Sequence, residues 1–180
     1  MSKDLKIKCL VWDLDNTLWS GTLLEDAEVY VAPETLKLIK TLDSRGILQS
    51  IASKNDHDFA WSKLEELGLS EYFIYPQINW EPKSTSIKKI AQSINIGTDT
   101  IAFVDDQVYE REEVSYSLPD VLTIDAEQVA EIEEMPVMIP RFITSDSKKR
   151  RLMYQSDILR NKIEEEFSGA QDEFLTPLNM

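Results

Sequence analysis

The chain has 180 residues, enough for one domain with a full hydrophobic core, and carries 33 acidic against 19 basic residues for a formal net charge of −14. That balance argues against a nucleic-acid partner, which needs a basic face. One cysteine (Cys9) and one histidine (His57) exclude internal disulfides and cysteine-rich metal sites, and argue against zinc or a histidine-based triad.

In chain order, "MSKDLKIK" has no apolar leader core, and no later run approaches the roughly eighteen apolar residues of a membrane span. The expectation is a soluble, cytoplasmic protein with no membrane partner. "IKCLVW" (7–12) reads as a buried strand. Residues 18–32 fit no helix and are too long for a tight turn, so a small hairpin flap is expected over the end of that strand. "PETLKLIKTLDSRG" opens on proline, repeats apolar residues at helical spacing (Leu36, Ile39, Leu42) and stops at Gly46. "ILQSIAS" reads as a second strand, "HDFAWSKLEELG" as a helix ended by Gly68, and "YFIYPQI" as a third strand. "SIKKIAQSINIG" is a helix, "TIAFV" a strand, "EREEVSYSL" a helix and "VLTI" a fifth strand.

Strands alternating with helices predict an α/β domain, a doubly wound parallel sheet covered on both faces. No large cap insertion is visible. The alternation stops after about residue 141, and "KKRRLMYQSDILRNKIEEEF" reads as one long polar helix. The expected organisation is therefore a core over 1–141 and a helical extension over 142–180, packed on the core or leading to a further domain. The basic run "KKRR" (148–151) reads as a solvated helix face, with a docking patch as the alternative.

Each early strand ends in chemistry. The first delivers Asp13 and Asp15, with Thr17 after them. The second delivers Ser53, followed by Lys54 and Asn55; the third leads to Lys83, and the fourth delivers Asp105 and Asp106. In a parallel sheet these ends share one edge, where ligands of open α/β sheets bind. Two unit charges about 4 Å apart repel by about 4 kcal/mol at an effective dielectric near 20. Four clustered carboxylates with one lysine therefore call for a cation, and oxygen-only ligands favour magnesium over zinc.

Such a pocket meets a phosphoryl group. Asp13, at the strand end, is the candidate nucleophile for an aspartyl-phosphate. Asp15 is the candidate acid and base. Ser53 is expected to hold a phosphoryl oxygen and Lys83 to neutralise transferring charge. Asp105 is expected to bind metal directly, and Asp106 directly or through water. Lys54, Asn55 and Arg111 are candidates for a second phosphate or carboxylate, or for surface roles. Trp19 and Trp80 beside the motifs either wall the pocket or pack. Trp12 and Trp61 read as packing residues, and His57 as a residue near a helix start. Cys9 lies four residues before Asp13, about 13 Å at strand rise, in an apolar run, and reads as a core residue rather than a thiol nucleophile.

In order and spacing, "DLDNT", Ser53, Lys83 and "VDD" resemble the haloacid dehalogenase (HAD) superfamily of aspartate-nucleophile phosphotransferases. "VWDLDNTLWSG", "IASKND", "INWEPKS", "AFVDDQVYEREEV" and "LPDV" are similar to its FkbH-like subfamily, over roughly residues 6 to 175. Ser20–Gly21 stands where that subfamily more often has two glycines. The resemblance implies a HAD-like, Rossmann-type fold with a magnesium ion among Asp13, Asp15 (through its carbonyl) and Asp105. It also implies transfer of a three-carbon glyceryl or lactyl unit from 1,3-bisphosphoglycerate to the phosphopantetheine arm of an acyl carrier protein in polyketide assembly. The alternatives are a plain magnesium-dependent phosphatase of a small phosphoester or phosphoprotein, a receiver-like phospho-aspartate signalling module, and a piece that docks a carrier through "KKRR". In receiver modules the acidic pair comes early and the phosphorylated aspartate follows the third strand, the reverse of the order here.

Overall fold

In the computed structural model, which describes residues 6–26 and 28–178, the first strand sits at the centre of the sheet. All four residues of β1 (Cys9–Trp12) are buried, because the strand is covered on both faces. Its side chains alternate between two apolar layers, as a period of two requires. Leu10 and Trp12 enter one layer with Leu38, Ile39 and Leu42 of α1 (Pro33–Ser44) and Ala60 and Leu64 of α2 (His57–Glu66). Cys9 and Val11 enter the other with Ile87, Ile90 and Ile94 of α3 (Lys83–Ile94) and Val114 of α4 (Val108–Ser117). Burial pushes the Cys9 thiol far up, so it stays protonated and acts as a small core side chain.

The sheet is completed by β2 (Leu48–Ser53), β3 (Gln77–Ile78), β4 (Ile101–Asp105) and β5 (Leu122–Asp125), all parallel in the order β3-β2-β1-β4-β5. This order removes the receiver reading, whose sheet runs 2-1-3-4-5 with the third strand beside the first. Here β4 pairs with β1, with Val11 opposite Phe103 and Trp12 opposite Val104. The Asp13 N–H then donates to the Val104 carbonyl at 3.0 Å, which carries the ladder one residue past β1. The chain order thus reverses between β1 and β4, and that is where the crevice opens.

The sequence predicts a third strand over 72–78, but only Gln77 and Ile78 form one, with Phe73 making a single bridge to Gln49. Tyr75, with φ of 49°, breaks the extended run between them. The flap over 18–32 is closed by one bridge, Ser20 with Tyr30, while Gly21 at φ 98° makes the turn beside it. Four short helical pieces follow β5, two 3-10 turns together with α5 (Val129–Ile132) and α6 (Ser145–Lys148), before α7 (Arg150–Leu178). No helix among the described residues is long and apolar enough to cross a membrane.

The start of α7 is clasped to the core. Arg151 pairs with Asp43 at 2.8 Å, donates to the Glu71 carbonyl and covers the Tyr72 ring; Arg150 donates to the Gly46 carbonyl. Two of the four residues in "KKRR" therefore hold the helix in place rather than forming an open face, while Lys148 and Lys149 stay exposed.

Candidate active site

Asp13 leaves β1 fixed by its ladder hydrogen bond, and Asp105 ends β4 beside it. Lys83, the first residue of α3, crosses from the next layer and closes the pair. Its Nζ lies 2.9 Å from Asp13 Oδ1 and 2.6 Å from Asp105 Oδ2, all three side chains being nearly inaccessible. Asn16, in the left-handed region at φ 57°, turns the chain after Asp15 and returns Thr17 to the cluster. The Thr17 hydroxyl, with one proton to give, bridges Asp13 Oδ2 (3.1 Å) and Asp106 Oδ1 (3.2 Å) and accepts the Asp106 N–H.

Burial drives the Asp13 carboxyl well above its ordinary range, with Lys83 offsetting part of the effect and Asp105 and Asp106 adding to it. Asp105 is raised for the same reason. Burial by itself would depress the Lys83 ammonium, but Asp13 and Asp105 outweigh it and hold its pKa above the ordinary value.

The donor set fits a hard divalent cation. One carboxylate oxygen each from Asp13, Asp105 and Asp106 lie within 4.8 Å of one another, with no nitrogen or sulfur ligand among them. Nearby, Glu110 Oε2 is buried without a hydrogen-bond partner and faces Lys83 Nζ at 3.5 Å. Of the four aspartates nominated by the sequence for metal, the Asp15 carboxylate is the one turned elsewhere. It accepts the Trp19 indole N–H, the Leu23 backbone N–H and the Asn55 amide, each at 3.0 Å.

The cluster opens into a cleft of about 370 Å³, lined in part by Asp13, Asp15, Lys54, Lys83, Asp106 and Glu110. The other nominated residues divide. Lys54 lines the cleft and is paired to Glu110 at 3.1 Å. Ser53 is buried at the end of β2, next to Lys54. Asn55 and Trp19 act on Asp15, and Trp19 is buried rather than set at a mouth. Arg111 donates to the Asp105 carbonyl at 2.8 Å and pairs with Asp125, away from the cleft lining. Trp80 is exposed.

The sequence predicts α4 as a helix and nominates Arg111 on it, but misses its acidic residues. Glu110 stands 3.5 Å from Lys83 Nζ, between the two lysines. Glu113, one turn later, accepts from the Ser84 N–H (3.1 Å) and the Ser84 hydroxyl, placing a carboxylate at the positive N-terminal end of α3, which carries Lys83. The available signal was Glu110 falling one helical turn after Asp106, on a helix starting beside the cluster.

The chain is similar to the N-terminal part of the protein BF1531 from Bacteroides fragilis, a structure described as containing a phosphatase domain complexed with Mg. The two share 30% identity and a TM-score of 0.61 over 72% of this chain, which spans only 39% of that one. Two HAD-superfamily hydrolases share the fold at low identity. One, from Ehrlichia chaffeensis, is 12% identical with a TM-score of 0.56, over 72% of this chain and 97% of its own. The other, of subfamily IA from Geobacter sulfurreducens, is 10% identical with a TM-score of 0.54, over 69% and 98%. No curated protein matches the sequence. The family model for haloacid dehalogenase-like hydrolases matches residues 22–111, half of the chain, a span that takes in Ser53, Lys83 and Asp105. The chain belongs to the haloacid dehalogenase-like hydrolases.

Proposed function

We propose that this protein is a magnesium-dependent phosphoryl hydrolase in which Asp13 is the nucleophile. The observation that carries the reading is the buried Asp13–Lys83–Asp105 contact, opening on the cleft beside Asp106. Magnesium held by Asp13, Asp105, Asp106 and the Asp15 carbonyl would draw charge from the phosphoryl oxygens. An Asp13 carboxylate oxygen attacks phosphorus, the ester P–O bond breaks, and Asp15 gives the leaving oxygen its proton. Asp15 then takes a proton from the water that cleaves the aspartyl-phosphate. Lys83 stabilises the transferring group, and the Thr17 and Ser53 hydroxyls would donate to the phosphoryl oxygens. In this reading residues 1–141 are the catalytic core and 142–180 an extension.

The motifs after "DLDNT" support a narrower role, loading a glyceryl unit from 1,3-bisphosphoglycerate onto an acyl carrier protein. The chemistry then divides in two. Attack by Asp13 on the acyl phosphate would release a free acid, so the carrier thiolate must attack the acyl carbon itself, with phosphate leaving. The 3-phosphate ester is the group left for Asp13. An uncapped cleft suits a long carrier arm, and Lys54 is the basic side chain at hand for a second anionic group.

Intact-mass analysis of a carrier protein after incubation with this protein, magnesium and 1,3-bisphosphoglycerate tests the narrower role. A carrier heavier by one glyceryl unit is expected. Free glycerate with an unloaded carrier would leave a phosphatase only.

A further inference from the structure

The middle third of α7 has no core to lie on. Tyr154 and Ile158 pack against the sheet's second apolar layer, and Arg151 is clasped, but every residue from 159 to 167 is exposed. Helices of this kind owe most of their stability to packing of an apolar face. Such a face is present and uncovered. At about 100° per residue, Leu152, Leu159, Ile163 and Phe167 form one stripe, nearly half a turn round from Tyr154 and Ile158. All four are more than half exposed (52%, 59%, 55% and 61%).

The charges beside the stripe say what covers it. Before its midpoint come Arg160 and Lys162, and after it Glu164 and Glu166, all exposed. Arg160 and Glu164 flank one side of the stripe, Lys162 and Glu166 the other. An identical helix laid antiparallel and centred on Ile163 brings Leu159 against Phe167 and Ile163 against Ile163. In antiparallel helix pairs each flank faces its own copy. Arg160 then meets Glu164 of the second copy, and Lys162 meets Glu166, with the same two pairs repeated by symmetry. A parallel, in-register pairing sets opposite flanks together, so Glu164 falls between Lys162 and Glu166 of the second copy and the matched set is lost. The intrahelical Arg160–Asp157 contact is exposed and gives way easily. This self-complementarity is what a two-fold interface demands.

We propose that α7 is a homodimerisation helix, pairing antiparallel with a second copy of this chain through Leu159, Ile163 and Phe167. The helix stands clear of the catalytic cleft, so association and phosphate release can be read separately.

Sedimentation or light scattering at tens of micromolar should find two chains per particle, and Ile163→Glu should find one, with the helical circular dichroism of the core and the phosphate release kept. An all-acidic variant (Arg160→Glu with Lys162→Glu) and an all-basic one (Glu164→Lys with Glu166→Lys) should each self-associate at least about tenfold more weakly, from four surface pairs lost and reversed. Mixed together, they should form a heterodimer. Oxidation should cross-link Ile163→Cys to itself, and Leu159→Cys to Phe167→Cys but not to itself; Cys9 is buried and stays silent. A single-chain wild type would overturn the proposal. So would self-cross-linking at position 159, or acidic and basic variants that ignore each other.

Discussion

At the scale of single residues, the site rests on unequal charges held at short range. Asp13→Asn keeps the shape and the Lys83 contact but removes the proposed nucleophile. Phosphate release should fall by roughly a thousandfold or more with circular dichroism unchanged; surviving activity would reassign the nucleophile. Asn55 acts through Asp15, donating to one of its two carboxylate oxygens. Asn55→Ala should therefore lower kcat by about tenfold, the worth of one hydrogen bond to a charged group, while KM changes little. An equal loss through KM would instead place Asn55 on the substrate. Asp13, Asp15, Lys83, Asp105 and Asp106 were legible as candidates because each sits within three residues of a strand end or helix start. The sequence could not show which way their side chains turn. Asp15 points to Trp19, Leu23 and Asn55 because those donors arrive from the flap and from the turn after β2.

Among the elements, α4 emerges as the support of the site. Its first two turns supply Glu110 to the lysines, Arg111 to the Asp105 carbonyl and Glu113 to the start of α3. A sequence pattern that reads "helix" reports only the apolar period, and these are its polar positions. Glu113→Ala should remove both bonds to Ser84 and destabilise the fold by about 1–2 kcal/mol, measured by urea unfolding. Because Lys83 starts that helix, kcat should fall with it. The clasp at the other end of the molecule is testable in the same way. Arg151→Ala leaves Asp43 without its partly buried partner and uncovers Tyr72, so a loss of about 1–3 kcal/mol is expected. A change below about 0.3 kcal/mol would return Arg151 to the status of an ordinary surface charge.

Across the whole molecule, the metal and the fold are linked through protons. Asp13 and Asp105 have raised carboxyl pKa values in the folded state, so their contribution to stability is present at low pH and is lost as pH rises through those values. A bound cation favours their ionised forms and competes with those protons. The thermal midpoint gained on adding magnesium should therefore grow as pH rises from about 5 to 8, and EDTA should abolish it. A gain that stays flat with pH would mean the ion binds away from these carboxylates.

What the sequence by itself determined was local and periodic: alternating strands and helices, and the motif residues lying at strand ends in chain order. Both follow from contiguous residues, since burial on two faces demands apolar strands and a parallel sheet gathers their ends on one edge. The strand order, the turned Asp15, the part played by Glu110 and Glu113, and the division of "KKRR" between clasp and surface were decided only by tertiary structure. These depend on long side chains choosing among partners that lie tens of residues apart, and that choice is made by charge and burial once the layers have closed.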